Sequence, residues 1–342
     1  MVEENTRRLE GEGGLGNSMG VPRRKFFVGV AALGAAAAIP RARSAAQTAA
    51  TAARPFRIDT HHHFSIPRLY AQSTAKGVSQ PTLADWTPEK SLEQMDKGSV
   101  ATTIISISDP GVWFGDNASA RSLARECNEY AAQVIKDHRG RFGLFAVLPL
   151  PDVDGALREV EYALDTLKAD GIGVLSSYQG KYLGNPALAP LMDELNGRKA
   201  VVFCHPFCAA CETQTTLSDA QNRGVEFVFD TTRTILSLLS TGTVTRCPDI
   251  RFIWSHGGGT VPYITTRLAG AASKLPKGLI YELQKFYYDT AQPVHAAVLQ
   301  EARSGLANIV WHGLPSRRRF SRTCRQGLDG QRRIQRARTA CH

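Results

Sequence analysis

Four histidines follow short apolar runs closely enough to meet at one end of a sheet. His61 and His63 lie two positions apart at the end of the first predicted strand, and His205 and His256 close two later ones. Because successive side chains of a strand point to opposite faces, His61 and His63 share a face and His62 takes the other. Imidazoles gathered at strand ends are typical metal ligands, so the sequence predicts a metal centre.

A metal ion at such a site supports two kinds of chemistry. It can lower the pKa of a bound water, which then attacks a lactone or an amide. It can instead hold a substrate carboxylate and stabilise the electrons left when CO2 departs, while an acid protonates the carbon. His256 is the candidate acid–base residue for either reaction.

The elements that must position these residues are short apolar strands alternating with helices. The predicted strands are Phe56–Thr60, Val100–Ile107, Arg141–Val147, Gly171–Ser176, Ala200–His205, Arg251–Ser255, Phe286–Thr290 and Asn308–Trp311. The predicted helices are Pro88–Lys97, Ala118–His138, Gly155–Ala169 with Asp154 as its cap, Pro186–Asn196, Thr231–Thr245, Val261–Ala272 and Val294–Ser304, and Val225–Asp230 is a strand or a buried connection. Eight such repeats predict an α/β fold of the (β/α)8 TIM-barrel class. An open doubly wound sheet is the alternative, but no glycine-rich phosphate turn follows the first strand.

Several motifs carry a family resemblance when they are taken together. They are Asp-x-His-x-His on the first strand, Phe-Cys-His-Pro on the fifth, Ile-Arg-Phe-Ile-Trp-Ser-His-Gly-Gly-Gly on the sixth and Tyr-Tyr-Asp-Thr-Ala on the seventh. The ensemble resembles the amidohydrolase superfamily, and within it the branch of aminocarboxymuconate semialdehyde, γ-resorcylate and methylsalicylate decarboxylases. The resemblance covers about residues 56–311.

The resemblance implies one divalent metal ion, Zn²⁺ with Mn²⁺ as the second choice, in the barrel. It implies that His61, His63 and His205 are the ligands and that His256 lies beside the metal-bound water or substrate. The fourth strand, Gly171–Ser176, has no lysine that could form a carbamate bridge between two metals, which favours a single ion.

Two further residues are candidates for substrate binding. Arg233 could anchor a carboxylate with its two-pronged guanidinium, and the alternative is a structural ion pair with Asp230. Trp113, on the loop after the second strand, could stack on a planar ring, and the alternative is ordinary packing of that loop.

The formal net charge of +10 comes from the two ends of the chain. Residues 1–46 hold seven Lys/Arg against four Asp/Glu, and residues 312–342 hold nine Arg against one Asp. The first segment has an arginine pair before an apolar run and a small-residue cleavage site, which predicts a twin-arginine-type signal peptide and export to the periplasm. The near-neutral body argues against a nucleic-acid partner.

The second end segment breaks the family pattern. The resemblance expects Gly-Thr-Asp after the eighth strand, with that aspartate a metal ligand, but His312-Gly313-Leu314 follows Trp311. The Arg-rich residues 312–342 have no apolar period and no eighth helix, so we interpret them as a frameshifted tail. On this hypothesis the eighth βα unit of the barrel is disrupted.

The sequence therefore predicts a metal-dependent decarboxylase, a carbon–carbon lyase acting on a small aromatic or unsaturated carboxylic acid. A hydrolase of a lactone or amide on the same metal is one alternative, and a pseudoenzyme that lacks the acidic ligand is the other. We expect a small-molecule substrate as partner, no membrane association once the signal is removed, and a homodimer as one possible assembly.

Overall fold

Seven parallel strands form the central sheet in the computed structural model, which describes residues 57–207 and 219–291. Their order in the sheet is β1-β2-β3-β4-β7-β8-β9, which is also their order in the chain. They are β1 (Arg57–His63), β2 (Val100–Ser106), β3 (Phe142–Val147), β4 (Gly171–Leu175), β7 (Val201–His205), β8 (Arg251–Trp254) and β9 (Tyr287–Tyr288). β5 (Ser177–Tyr178) and β6 (Lys181–Tyr182) make a separate antiparallel hairpin.

Helices connect the strands and cover the outside of the sheet. They are α1 (Pro67–Ala75), α2 (Pro88–Gly98), α3 (Asn117–Asp137), α4 (Val153–Glu161), α5 (Ala189–Gly197), α6 (Asp219–Thr241), α7 (Thr243–Arg246), α8 (Val261–Ile264) and α9 (Leu279–Gln284). Short 3-10 segments at Pro81–Leu83, Pro186–Leu188, His256–Gly258 and Thr265–Lys274 complete the connections. Within the described ranges no helix is both long enough and apolar enough to span a bilayer.

The strands are buried on both faces, which explains their almost continuous apolar sequences. Ile104, Phe145, Phe203 and Ile253, from four different strands, pack together as a small inner cluster, while the larger core lies between the strands and the helices. Two separate cores on the two faces of one parallel sheet are what a barrel wall requires.

The sheet curls far enough to bring its first and last strands together. His61 on β1 and Asp289 directly after β9 are hydrogen-bonded, although these strands lie at opposite ends of the strand order. The predicted α/β fold of TIM-barrel type is confirmed by this curled parallel sheet. The eighth predicted strand, Asn308–Trp311, and the helix Val294–Ser304 lie outside the described residues.

Two local predictions were wrong. Val225–Asp230 is neither a strand nor a buried connection. It is part of the long helix α6, which begins at Asp219 and continues through this apolar segment. The cap of α4 is Asp152 and not Asp154: the Asp152 carboxylate accepts a hydrogen bond from the Gly155 backbone amide, 3.1 Å away. The helix thus begins two residues earlier than predicted.

A buried amide fixes the end of β3. The Asn128 side chain, on α3, donates to the Val147 carbonyl and accepts from the Val147 amide, both at 2.9 Å. Its NH2 group also donates to the Glu159 carboxylate on α4 at 2.9 Å. One side chain therefore holds a strand and two helices at the point where the chain leaves the sheet.

We expect Asn128→Ala to lower the free energy of unfolding by about 2–4 kcal/mol, because it leaves two backbone groups and a carboxylate without their buried partner. Denaturant unfolding measures this difference. Gln133→Ala is the matched control on the same helix, since Gln133 makes only an exposed contact with Asp137, and its effect should stay within about 0.5 kcal/mol. Equal losses in the two variants would contradict the role given to Asn128.

Candidate metal centre

Three histidines predicted from the sequence converge at the carboxyl ends of β1 and β7. His61, His63 and His205 each offer one nitrogen, and these three atoms lie within 4.8 Å of one another. The Nε2 atoms of His61 and His63 are 3.0 Å apart, and the ring centres of His63 and His205 are 4.7 Å apart. Strand alternation puts the first two on one face, and the curl of the sheet brings the third to them.

The hydrogen bonds of two of these rings leave the correct nitrogen for a metal. His61 Nδ1 donates to the Asp289 carboxylate at 2.6 Å, and His205 Nδ1 donates to the Pro206 carbonyl at 2.8 Å. Since a carboxylate and a carbonyl only accept, the proton is on Nδ1 and the lone pair that a metal would take is on Nε2. His63 Nδ1 lies 3.4 Å from the Ser106 hydroxyl.

Burial also favours the neutral form of His205. Desolvation first, and then the neighbouring imidazoles of His63, His61 and His256, hold the pKa of His205 well below the ordinary histidine value. A neutral imidazole is the form that coordinates a metal. The donor set present in this chain therefore fits a divalent transition metal.

His256 lies beside the three histidines on a strained turn. Its ring centre is 5.1 Å from that of His61 and 5.4 Å from that of His205. The backbone of His256 has φ 52°, a left-handed conformation that is costly for a residue with a side chain. Gly258 and Gly259 follow with φ of 77° and 68°, and a Cβ at either position would overlap Tyr288 or the Val228 carbonyl. The glycines let the turn pack tightly enough to present His256.

His62 points away from this group, as strand alternation predicts. Its Nε2 is 2.8 Å from the Ser91 hydroxyl on α2, and its Nδ1 is 3.7 Å from the Asp59 carboxylate. His62 therefore attaches β1 to the helix behind it and takes no part in the metal-binding group.

Asp289 is the functional residue that the sequence interpretation did not assign. One carboxylate oxygen accepts from His61, and the other accepts from the Gly257 amide at 3.4 Å and the Ala291 amide at 3.1 Å. The side chain is fully buried. It thus holds one metal-ligand candidate and the turn of His256 at the same time. The sequence did contain a signal for this residue. Asp289 lies near the end of the predicted strand next to the one that His256 closes.

The structure places Arg233 on α6 among carboxylates. Its guanidinium is 3.2 Å from Glu226 and 3.9 Å from Asp230, and its side chain is 45% exposed. Asp230 itself is buried and accepts from the Tyr182 hydroxyl at 2.8 Å and from the Ser176 hydroxyl. Burial raises the pKa of Asp230 in spite of these partners. Arg233 therefore lies where the alternative interpretation, a structural ion pair with Asp230, expects it.

Trp113 lines an apolar cavity of about 440 Å³ at the carboxyl ends of the strands. Its indole N–H donates to the Asn117 side chain at 2.9 Å. The cavity is walled by the ends of β3 and β4, by the loops that follow β2 and β3, by the β5–β6 hairpin and by Phe207, two residues after His205. The other lining residues are Ile107, Pro110–Trp113, Val147, Leu148, Leu150, Pro151, Gly173–Leu175 and Ser177–Gly180. An apolar space of this kind suits a ring better than a charged group.

A family model described as amidohydrolase matches residues 58–308. The chain belongs to the amidohydrolase family. Among curated members, it is 40% identical over 261 residues to the decarboxylase yanB of Aspergillus niger, a match that covers 69% of each chain. It is 37% identical over 257 residues to the 6-methylsalicylic acid decarboxylase acuB of Aspergillus aculeatus, covering 69% of this chain and 76% of the relative.

A solved structure of the same fold comes from Novosphingobium aromaticivorans. It is a 5-carboxyvanillate decarboxylase, crystallised with manganese and 4-hydroxy-3-methoxy-5-nitrobenzoic acid. The TM-score is 0.66 at 18% identity, and the match covers 75% of this chain and 85% of that one. The family resemblance inferred from the sequence motifs is confirmed by these matches.

Two predictions concern parts of the chain outside the described residues. The signal peptide of residues 1–46 and the Arg-rich tail of residues 312–342, with Leu314 in place of the expected aspartate, lie there and stay predictions.

We expect Asp289→Asn to weaken metal binding by about 10- to 100-fold, because an amide can donate to His61 Nδ1 and move the ring proton to Nε2. Competition with a chelator of known affinity, using Zn²⁺ and Mn²⁺ in turn, measures the change. Asp165→Asn, which removes an exposed carboxylate paired with Arg198, is the control and should leave the affinity unchanged. A variant that folds normally and binds metal as tightly as the unaltered chain would refute this role of Asp289.

Proposed function

We propose that this chain is a metal-dependent decarboxylase that removes CO2 from a small aromatic carboxylic acid. The observation that carries the proposal is the group of three histidine nitrogens within 4.8 Å of one another, with His256 beside it. The prediction of a carbon–carbon lyase is confirmed by relatives of 40% and 37% identity that are decarboxylases. The name of one of them, a 6-methylsalicylic acid decarboxylase, supports a substituted benzoic acid as the substrate.

His61, His63 and His205 would hold one divalent ion. We propose Zn²⁺, with Mn²⁺ as the second candidate, because imidazole ligands suit both ions. Support for manganese comes from the solved 5-carboxyvanillate decarboxylase, which contains it. When bound, the ion supplies positive charge that holds the substrate carboxylate and a neighbouring oxygen and stabilises the electrons left on the ring.

His256 supplies the proton in this proposal. The bond between the ring carbon and the carboxylate breaks, CO2 leaves, and the electron pair that stays on the ring carbon takes a proton from a ring nitrogen of His256. The strained turn keeps the centre of this imidazole 5.1 Å from that of His61 and 5.4 Å from that of His205. Solvent then returns the proton to His256.

In this proposal the apolar cavity at the carboxyl ends of the strands supplies room for the body of the ring. Phe207 and Trp113 are among its walls, so a ring placed there would bury apolar surface against them. An apolar site suits loss of CO2, because no water needs to reach the reacting carbon. A lactone or amide hydrolase needs a water molecule at that carbon.

We also propose a localisation and an assembly for this chain. The arginine pair and apolar run within residues 1–46 support export to the periplasm by a twin-arginine-type signal. We propose a homodimer as the assembly and a small carboxylic acid as the substrate.

The direct experiment measures CO2 release from salicylate and 6-methylsalicylate by the purified, metal-loaded chain in water enriched in ¹⁸O. We expect the descarboxy phenol as product, with no ¹⁸O in it. His256→Asn should lower kcat by about 10²- to 10⁴-fold while the metal content stays that of the unaltered chain. Removal of the metal by a chelator should abolish turnover, and adding Zn²⁺ or Mn²⁺ should restore it.

Three results would overturn parts of the proposal. Incorporation of ¹⁸O with ring or amide opening would establish the hydrolase. Full turnover by His256→Asn would exclude His256 as the acid. Normal metal binding without turnover, cured by restoring Gly-Thr-Asp after Trp311, would establish that this chain is the pseudoenzyme expected from Leu314.

A further inference from the structure

Helix α6 places one aromatic ring beside His205 and His256. The ring of Phe227 lies edge-on to His205, with centres 5.6 Å apart, and almost parallel to His256, with centres 6.0 Å apart and an angle of 20° between the planes. Phe227 is half-buried. It therefore contacts both a metal-ligand candidate and the candidate acid.

Two apolar neighbours of Phe227 on the same helix are exposed to solvent instead. Val225 and Phe229, two positions before and after Phe227, are 42% and 44% exposed. At 100° per residue, positions two apart lie on different faces of a helix. Phe227 is thus directed to the histidines while Phe229, an identical side chain on the same helix, is directed to solvent.

An ion pair ties this turn of α6 to the loop after β2. The Arg223 guanidinium contacts the buried carboxylate of Asp109, and its central carbon lies 6.0 Å from the centre of the Phe227 ring. Arg223 comes one helical turn before Phe227. Pro110, next to Asp109, lines the apolar cavity. The pair therefore connects the turn of α6 that carries Phe227 to a loop that lines the cavity.

We propose that Phe227 is the residue that recognises the aromatic ring of the substrate, and that Arg223 and Asp109 are positioning residues that hold it in place. This inference rests on the proposed function, because it assigns the ring-binding surface of that same site. Stacked or edge-on aromatic pairs are favourable beyond the burial of their area. A ring bound against Phe227 would lie close to His205 and His256.

The test compares two ligands of equal size, benzoate and cyclohexanecarboxylate, by titration calorimetry on the full chain loaded with Mn²⁺. Phe227→Leu should weaken benzoate binding by about tenfold and change the dissociation constant of cyclohexanecarboxylate by less than about twofold. Phe227→Tyr should restore benzoate binding. Phe229→Leu is the matched control and should bind both ligands as the unaltered chain does.

The positioning residues have their own signature. Arg223→Gln and Asp109→Asn should each lower the preference for benzoate over cyclohexanecarboxylate without lowering metal affinity, and Arg223→Lys should recover part of it. Arg233→Gln, ten residues along the same helix, should have no effect on the preference.

The outcomes separate this inference from the proposed function. Equal losses for the two ligands in Phe227→Leu, or no benzoate binding by the unaltered metal-loaded chain, would overturn the role of Phe227. Benzoate binding with the expected preference, but no CO2 released from any aromatic acid, would support Phe227 as the ring-binding residue and overturn decarboxylation alone.

Discussion

The hydrogen bond between His61 and Asp289 joins the first and last described strands of the sheet, and the arrangement of the candidate site depends on it. It fixes the tautomer of one imidazole, and the second oxygen of the same carboxylate accepts a hydrogen bond from the Gly257 amide in the turn that follows β8. A change in the curl of the sheet would therefore change the direction of a metal-binding nitrogen and the position of His256 together. Fold and chemistry are coupled through one buried carboxylate.

A second constraint is the backbone of the segment His256-Gly257-Gly258-Gly259. All four residues have positive φ, and only the first carries a side chain. The conformational cost at His256 is balanced by the tight packing of the glycines against Tyr288 and α6. Such a turn leaves the imidazole few alternative positions, which suits a group that must deliver a proton to one carbon atom.

The strand pattern and the strand-end histidines were predictable because both follow from local rules. Continuous apolar runs mark strands buried on two faces, and alternation separates His62 from its neighbours. Helix α6 was not predictable in its first half: Val225–Asp230 is apolar enough for a strand, and only contacts with distant residues such as Asp109 and His256 establish a helix there. Phe227 could not be recognised as a site residue for the same reason.

Among charged residues, too, contacts within one helix follow from the local sequence and contacts with distant residues do not. The sequence suggested Arg233 as an anchor for a substrate carboxylate. In the structure its guanidinium lies close to two carboxylates of the same helix, those of Glu226 and Asp230. Arg223, on the same helix, contacts Asp109 from the loop after β2. Two arginines on one helix cannot be distinguished by composition, since the partners of one are local and the partner of the other is 114 positions away.

The distance between His61 and Asp289 along the chain, 228 positions, has a consequence for synthesis. A ribosome makes the first histidine pair early and its carboxylate partner late, so the growing chain carries exposed imidazoles long before the site is complete. Contacts of such large sequence separation also form late in folding, because loop closure must be paid for first. The site is thus assembled only when nearly the whole barrel wall has been translated.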